Sequence, residues 1–285
     1  MSVPTYFLGC SSSEIVKGGI SLIGCPLDMT TTYRHGCDKA PEAIRASSES
    51  IETFSPLFRR DLLNVHFSDL GDIEFKYNDI EPCLDLIQET VSNVLEKSAM
   101  PLCLGGEHTI TLPIIKAMNE RHPECVVIQL DAHADLRNDY EGMRLNHASV
   151  MRRIAETIGE KRIIQIGVRS GTKEEFEWMR DHETLLAWRT LSDRILASSI
   201  QGRPVYLTID IDVLDPACMP ATGNPEPGGF FYEDLERFLR LMGAFNLVGA
   251  DVVELNPELD PCEVGSITTS KIVRELLLLM AKVPM

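Results

Sequence analysis

Short apolar runs and longer amphipathic stretches alternate along this chain from end to end. Runs of strand length, rich in β-branched and aliphatic residues, fall at 20–24, 64–68, 101–104, 125–130, 162–166, 205–209 and 247–252. Between them the spacing turns helical. Residues 80–97 carry Ile80, Cys83, Leu84, Ile87, Val91, Val94 and Leu95 on one stripe. A helix opening at His147 and running to about Ile158, and a last one over 268–282, have the same character. Such alternation predicts a parallel sheet covered by helices on both faces. No linker, low-complexity tract or internal repeat interrupts it, so residues 1–285 are expected to form a single domain. Ligands of such sheets bind beyond the carboxyl ends of the strands. Functional residues should therefore follow strands and not precede them.

Composition narrows the class. The net charge of −16, from 43 acidic and 27 basic residues, argues against nucleic acid as a partner and mildly favours a cationic ligand, although solvated helix faces also carry such charge. No apolar run approaches the roughly 18 residues needed to cross a bilayer, so no membrane partner is expected. The N-terminus lacks a basic flank followed by an apolar core, as a secretory signal would have. The eight cysteines stand singly, most of them inside apolar strands or helices (Cys25, Cys83, Cys103, Cys125). With no C-x-x-C, neither a thiolate zinc site nor a disulfide framework is expected, and the chain reads as cytoplasmic.

Candidate chemistry does follow the strands. After 125–130 comes Asp131-Ala132-His133-Ala134-Asp135. Alternate residues of an extended chain point the same way, so Asp131, His133 and Asp135 can share one face. Carboxylates flanking an imidazole make a hard N/O set of the kind Mn²⁺ accepts, whereas a helix-capping Asp and an incidental His are the plainer reading. After 101–104 comes Gly105-Gly106-Glu107-His108, whose glycines let the backbone turn and deliver His108 to the same edge. After 205–209 comes Asp210-Ile211-Asp212, two carboxylates in an apolar context that a cation would compensate best. Glu254 follows 247–252. His147 opens its helix after a charged, mobile-looking segment at 136–145; a solvated Glu254 and capping by Asn146 are the plainer readings there.

Taken together, these segments resemble the ureohydrolase family, which includes arginase and agmatinase. The resemblance is carried by Gly105-Gly106-Glu107-His108, the 131–135 pentad, Asn146-His147-Ala148-Ser149, and Asp210-Ile211-Asp212 with Asp215-Pro216 and Thr222-Gly223. Gly249-Ala250-Asp251-Val252-Val253-Glu254-Leu255-Asn256-Pro257 matches too, as do Tyr33-Arg34-His35-Gly36 and Pro41-Glu42-Ala43-Ile44-Arg45 near the N-terminus. The resemblance implies a three-layer α/β/α arginase-type fold with a central, mostly parallel eight-stranded sheet, assembled as a homotrimer or homohexamer. It implies two Mn²⁺ per subunit held by His108, Asp131, His133, Asp135, Asp210 and Asp212. Asp131 and Asp210 would bridge, His133 and Asp212 would serve one ion, and His108 and Asp135 the other.

The residue chemistry agrees with that expectation. Four aspartates nearly cancel two divalent cations, and such a pair acidifies a shared water into a hydroxide near neutral pH. A guanidinium stays charged and is a poor electrophile, so it needs a carboxylate to hold it over the nucleophile, a role that Glu254 fits. Asp135 could pass a proton to the departing amine, and His147 could bind at the same site and exchange protons with solvent. The substrate would be a small cationic guanidino compound. The Asn-His-Ala-Ser segment looks most like agmatinases of the archaeal type, and the loop Leu136-Arg137-Asn138-Asp139-Tyr140-Glu141 departs from the arginase pattern. Asp139 or Glu141 would suit a terminal ammonium better than a carboxylate. Agmatine, giving putrescine and urea, is the expected substrate. Arginine, guanidinobutyrate and aminopropylagmatine are the alternatives within the chemistry. A one-zinc deacylase on a related fold would need a His-His pair that is absent here, and a non-catalytic regulator would usually have lost ligands that this chain keeps.

Overall fold

A strand that is apolar on both faces has to be covered on both, and that condition shapes this molecule. The computed structural model describes residues 6–10 and 12–281. In it β1 (Ile20–Cys25) leads through α1 (Ala40–Ser48) to a small antiparallel pair, β2 (Phe54–Ser55) and β3 (Arg60–Asp61). Then come β4 (Phe67–Asp72), α2 (Ile80–Glu96), β5 (Met100–Gly105), α3 (Thr111–Arg121) and β6 (Val126–Leu130). The middle of the chain gives α4 (Val150–Ile158), β7 (Ile163–Ile166), α5 (Lys173–His182), β8 (Leu185–Leu186) and α6 (Asp193–Ile200). The last elements are β9 (Val205–Asp210), α7 (Tyr232–Met242), β10 (Leu247–Val253) and α8 (Val264–Met280). Eight strands form one sheet in the order β4-β1-β5-β10-β9-β6-β7-β8, and every ladder in it is parallel.

Alternate residues of each strand feed two separate cores. Leu22, Leu104, Ile128, Leu207 and Val252 pack with α1, α6, α7 and α8. Ile23, Cys103, Val127, Tyr206 and Val253 pack with α2, α3, α4 and α5. This is the expected three-layer arrangement. The helical stripe of Cys83, Leu84, Ile87, Val91, Val94 and Leu95 is the buried face of α2. At the sheet edge the buried Arg45 of α1 forks onto Asp69, at 2.9 Å to each oxygen, and also reaches Asp72, tying α1 to β4.

Local chemistry moves several boundaries. The strand expected at 64–68 begins only at Phe67, because the Asp61 side chain accepts from Leu63 N and folds Leu62–Asn64 into a 3₁₀ turn. Arg162 likewise belongs to a 3₁₀ turn before β7. The eighth strand, β8, is two residues long, too short for any hydropathy period. His147 lies in a 3₁₀ turn (His147–Ser149) that leads into α4. The last helix starts at Val264 instead of 268, and Lys282, its expected end, lies outside the described residues. The 136–145 segment is held, not loose. Leu136 is buried, Arg137 N donates to Ala148 O, and Tyr140 and Met143 exchange backbone hydrogen bonds of 2.9 Å.

Candidate metal centre

β5, β10, β9 and β6 are consecutive neighbours in the middle of the sheet, and a functional segment leaves the carboxyl end of each. Gly106 makes the first of these possible. A Cβ there would stand 1.9 Å from Leu27 O, so only glycine lets the chain pass and present His108. His108 is buried, and its Nδ1 lies 3.1 Å from Asp131 Oδ2, 3.1 Å from Asp135 Oδ2 and 3.4 Å from Asp210 Oδ2. His133 Nδ1 lies 2.8 Å from Asp212 Oδ2 and 3.7 Å from Asp131 Oδ1. The six residues singled out in the sequence thus converge. Two groups within them, His108-Asp131-Asp135 and Asp131-His133-Asp212, bring their donor atoms within 4.8 Å of one another and share Asp131. Asp210 adjoins the first group, and its Oδ1 accepts from Asp212 N at 2.9 Å.

So much buried negative charge needs cations. Burial pushes the Asp131 carboxyl up to about 7, with Asp135 and Asp212 adding to the rise against the pull of His108. Burial, then Asp212 and Asp131, lift Asp210 well above the carboxylate range. Burial opposes charge on both imidazoles, yet the carboxylates outweigh it, holding His133 at about 11 and His108 well above its ordinary value. Asp212 resists its own burial because His133 holds it down at about 2. One atom is especially telling. His108 Nδ1 is fully buried and hydrogen-bonded to nothing described, although it faces three carboxylate oxygens. Once a cation takes the place of the proton on Nδ1, a lone pair is aimed among hard oxygen donors, a setting that fits a divalent metal.

The far side of the ring supports that assignment. His108 Nε2 lies 2.9 Å from Thr208 Oγ1, and Thr208 Oγ1 donates to Asp251 Oδ1 at 2.6 Å. Tyr206 and Thr111 also donate to Asp251, at 2.7 and 3.1 Å. An ionised Asp251 takes the one proton of Thr208, whose oxygen must then accept from His108 Nε2–H. The tautomer so assigned leaves Nδ1 free for a metal, the arrangement usual for metal-bound histidine. Asp131 has a parallel support: Gln129 Nε2 donates to its Oδ2 at 2.6 Å, Gln165 donates to Gln129 Oε1, and Thr184 donates to Gln165 Oε1. Arg169 gathers the carbonyls of Asp212 and Glu226 at 2.8 and 2.7 Å, pinning the segment after β9. None of these supporters was singled out as functional in the sequence. The signal available was a polar residue inside an otherwise apolar strand: Gln129, Thr208, Asp251.

A cavity of about 480 Å³ opens over the centre, lined by His133, Asp135, Asp210 and Asp212 below and by His147 and Glu254 at the side. Glu254 (φ +66°) and Asp135 (φ +53°) both hold left-handed backbone conformations, which non-glycine residues keep at some cost. Glu254 Oε1 accepts from His108 N at 2.7 Å, while Oε2 has no partner among the described residues. Burial pushes its carboxyl up to about 8, with Glu107 and Asp212 adding to the rise and His108 resisting it. His147 is steadied from below. Its N–H donates to Thr30 Oγ1 at 3.1 Å, and Glu107 accepts three hydrogen bonds from Met29 N, Thr30 N and Thr30 Oγ1 at 2.6–2.7 Å. Asn146 makes no helix cap; it donates to the carbonyls of Met143 and Tyr140 and accepts from Ser149. In the rim, Asn224 lines the cavity, whereas Ala221 is buried behind it.

Comparison with known proteins agrees with this geometry. The description of the arginase family matches residues 19–279. An agmatinase of Bacillus subtilis is 41% identical over 272 residues, 94% of each chain. A guanidinobutyrase of Pseudomonas aeruginosa is 32% identical over 282 residues, 94% of this chain and 88% of that one. The crystal structure of the agmatine ureohydrolase of Thermoplasma volcanium superposes with a TM-score of 0.86 at 31% identity, covering 98% of this chain and 95% of that one.

Proposed function

The chain belongs to the arginase family, and from that premise we infer that it is a ureohydrolase cleaving agmatine to putrescine and urea. The observation that carries the reading is the pair of donor triads sharing Asp131 on the floor of a cavity whose wall presents Glu254. The similarity to named agmatinases, over nearly the whole of both chains, supports agmatine among the guanidino compounds.

Two divalent cations, which we take to be Mn²⁺, fit the donors His108, Asp131, Asp135, His133, Asp212 and Asp210. Such a pair would supply the charge that neutralises the aspartates and would acidify water enough to furnish hydroxide near neutral pH. The protein's own groups do the rest. Glu254 Oε2 is free to accept charge-assisted hydrogen bonds from the guanidinium, and the firm hold of His108 N on Oε1 fixes the plane in which it does so. Asp135 reaches the cavity floor, where its carboxylate can take the proton released at the attacking oxygen and return it to the departing amine. His147 has Nδ1 beside Thr30 at 3.4 Å, which leaves Nε2 to exchange protons between cavity and solvent. Among the described residues no helix is long and apolar enough to cross a membrane. We take the enzyme to be cytoplasmic and a homotrimer or homohexamer.

Urea release from agmatine, arginine, 4-guanidinobutyrate and aminopropylagmatine by the Mn²⁺-loaded protein tests this. Agmatine should give the highest kcat/KM. Urea from another compound alone would move the substrate assignment, and urea from none would bring a non-catalytic regulator to the front. Metal analysis should find two manganese per chain; a single zinc would favour a deacylase.

A further inference from the structure

Apart from the metal floor and Glu254, the arginine, glutamate and histidine side chains of the cavity wall are Arg137, Glu141, Glu175 and His147. Three are already occupied. Glu175 is buried, and its two oxygens accept from Leu136 N at 2.9 Å and Thr172 N at 2.7 Å. The Arg137 guanidinium lies over the Tyr140 ring, 4.8 Å from its centroid. His147 has its ring Nδ1 beside Thr30 Oγ1 at 3.4 Å and meets the edge of the same Tyr140 ring. Glu141 differs from all of them. It is exposed, it lines the cavity, and its carboxylate has no hydrogen bond or ion pair among the described residues. Asp139, its neighbour in sequence, does not line the cavity.

The backbone fixes Glu141 in that position. Glu141 (φ +51°) and Gly142 (φ +80°) form the two-residue tip of a hairpin closed by the reciprocal Tyr140–Met143 hydrogen bonds. Two positive φ values in succession suit Asn-Gly or Gly-Gly, so a glutamate at the first position is held against backbone preference. Asn146 clamps both carbonyls of that hairpin and also precedes His147, so the tip is tied to the catalytic wall. Glu254 and Glu141 line the same cavity, so a substrate whose guanidinium is held by Glu254 shares that space with the carboxylate of Glu141.

We propose that Glu141 is the specificity-determining residue that receives the distal ammonium of an ω-amino guanidine and disfavours guanidino acids. The proposal rests on the ureohydrolase reading above. The contrast needed is between three guanidines of similar length: agmatine with a cationic tail, butylguanidine with a neutral one, and 4-guanidinobutyrate with an anionic one. Gln and Lys tolerate the turn about as well as Glu, so Glu141→Gln and Glu141→Lys change the charge and leave the hairpin. In Glu141→Gln the ratio of kcat/KM for agmatine to that for butylguanidine should fall roughly five- to tenfold, mostly through KM, as expected of a half-solvated charge-assisted contact. In Glu141→Lys the ratio of 4-guanidinobutyrate to agmatine should rise by more than that. Added salt should erode the wild-type preference for agmatine. Ratios that stay constant, whether all three substrates are unaffected or all fall together, would overturn the proposal and leave Glu141 a structural turn residue. Wild-type protein that releases no urea from agmatine would instead sink the ureohydrolase assignment to that substrate.

Discussion

The floor and the lip of one cavity are built on opposite terms. On the floor, five of the six metal-binding candidates are buried and His133 is half-buried, all follow the ends of central strands, and His108 and Asp131 are backed by chains of hydrogen bonds, Asp251-Thr208-His108 and Thr184-Gln165-Gln129-Asp131. At the lip, Glu141 rides on a two-residue hairpin tip, its carboxylate without a partner among the described residues. A rigid sheet can fix the geometry that chemistry needs, while a loop can vary the reach and charge that choose a substrate. Changes on the floor should therefore act on metal content and turnover, and changes at the lip on the choice of tail.

The largest effect is expected at Asp131, the residue shared by both donor groups. Asp131→Asn should lose bound metal and activity together, beyond the roughly 10–100-fold that an outer partner is worth; full occupancy by elemental analysis would remove its shared role. Glu254→Gln should keep both metals and lower kcat on the order of 10²-fold, because the guanidinium loses its charged anchor; unchanged turnover would take Glu254 out of the mechanism. Asp251→Asn touches no cavity atom, so its effect should appear as weaker metal binding by roughly 10–100-fold in a chelator competition, with turnover largely restored at saturating metal. If turnover stayed low there, the tie through Thr208 would be something other than a support for His108. Asn146→Ala should be the mildest. Loss of its grip on the hairpin would be worth about 1 kcal/mol, read as a few-fold shift in substrate preference with metal content intact; a loss of metal would blur the line between floor and lip.

Much of the floor was legible in the sequence, for a local reason. A carboxylate or imidazole directly after a β-branched run sits at a strand end whatever the remainder of the chain does, so His108, Asp131, His133, Asp135, Asp210, Asp212 and Glu254 could all be named. Most of their supporters were harder to read, because the residue supported lies far off in sequence: Thr208 is 100 residues from His108, and Glu107 is 77 from Thr30, whereas Gln129 stands two residues from Asp131. The lip was half legible. Composition marked 136–145 as charged and suggested an ammonium partner, but two alternatives, Asp139 and Glu141, could not be separated without knowing which faced inward. The same charges made the segment look loose, whereas Asn146 and the hairpin bonds hold it. Strand β8 escaped because two residues carry no period, and β4 began late because an Asp61 side chain redirected the backbone before it.

The order of strands has one more consequence. Among the described residues the last strand in sequence, β10, inserts between β5 and β9 in the finished sheet, so it is the strand that joins the stretches bearing His108 and Asp210. A nascent chain that stops short of Leu247 lacks the strand that pairs with both β5 and β9, and so lacks the backbone that joins those two segments in the sheet. The sheet that carries the reactive centre is thereby closed by a strand that comes after all six candidate ligands in the sequence.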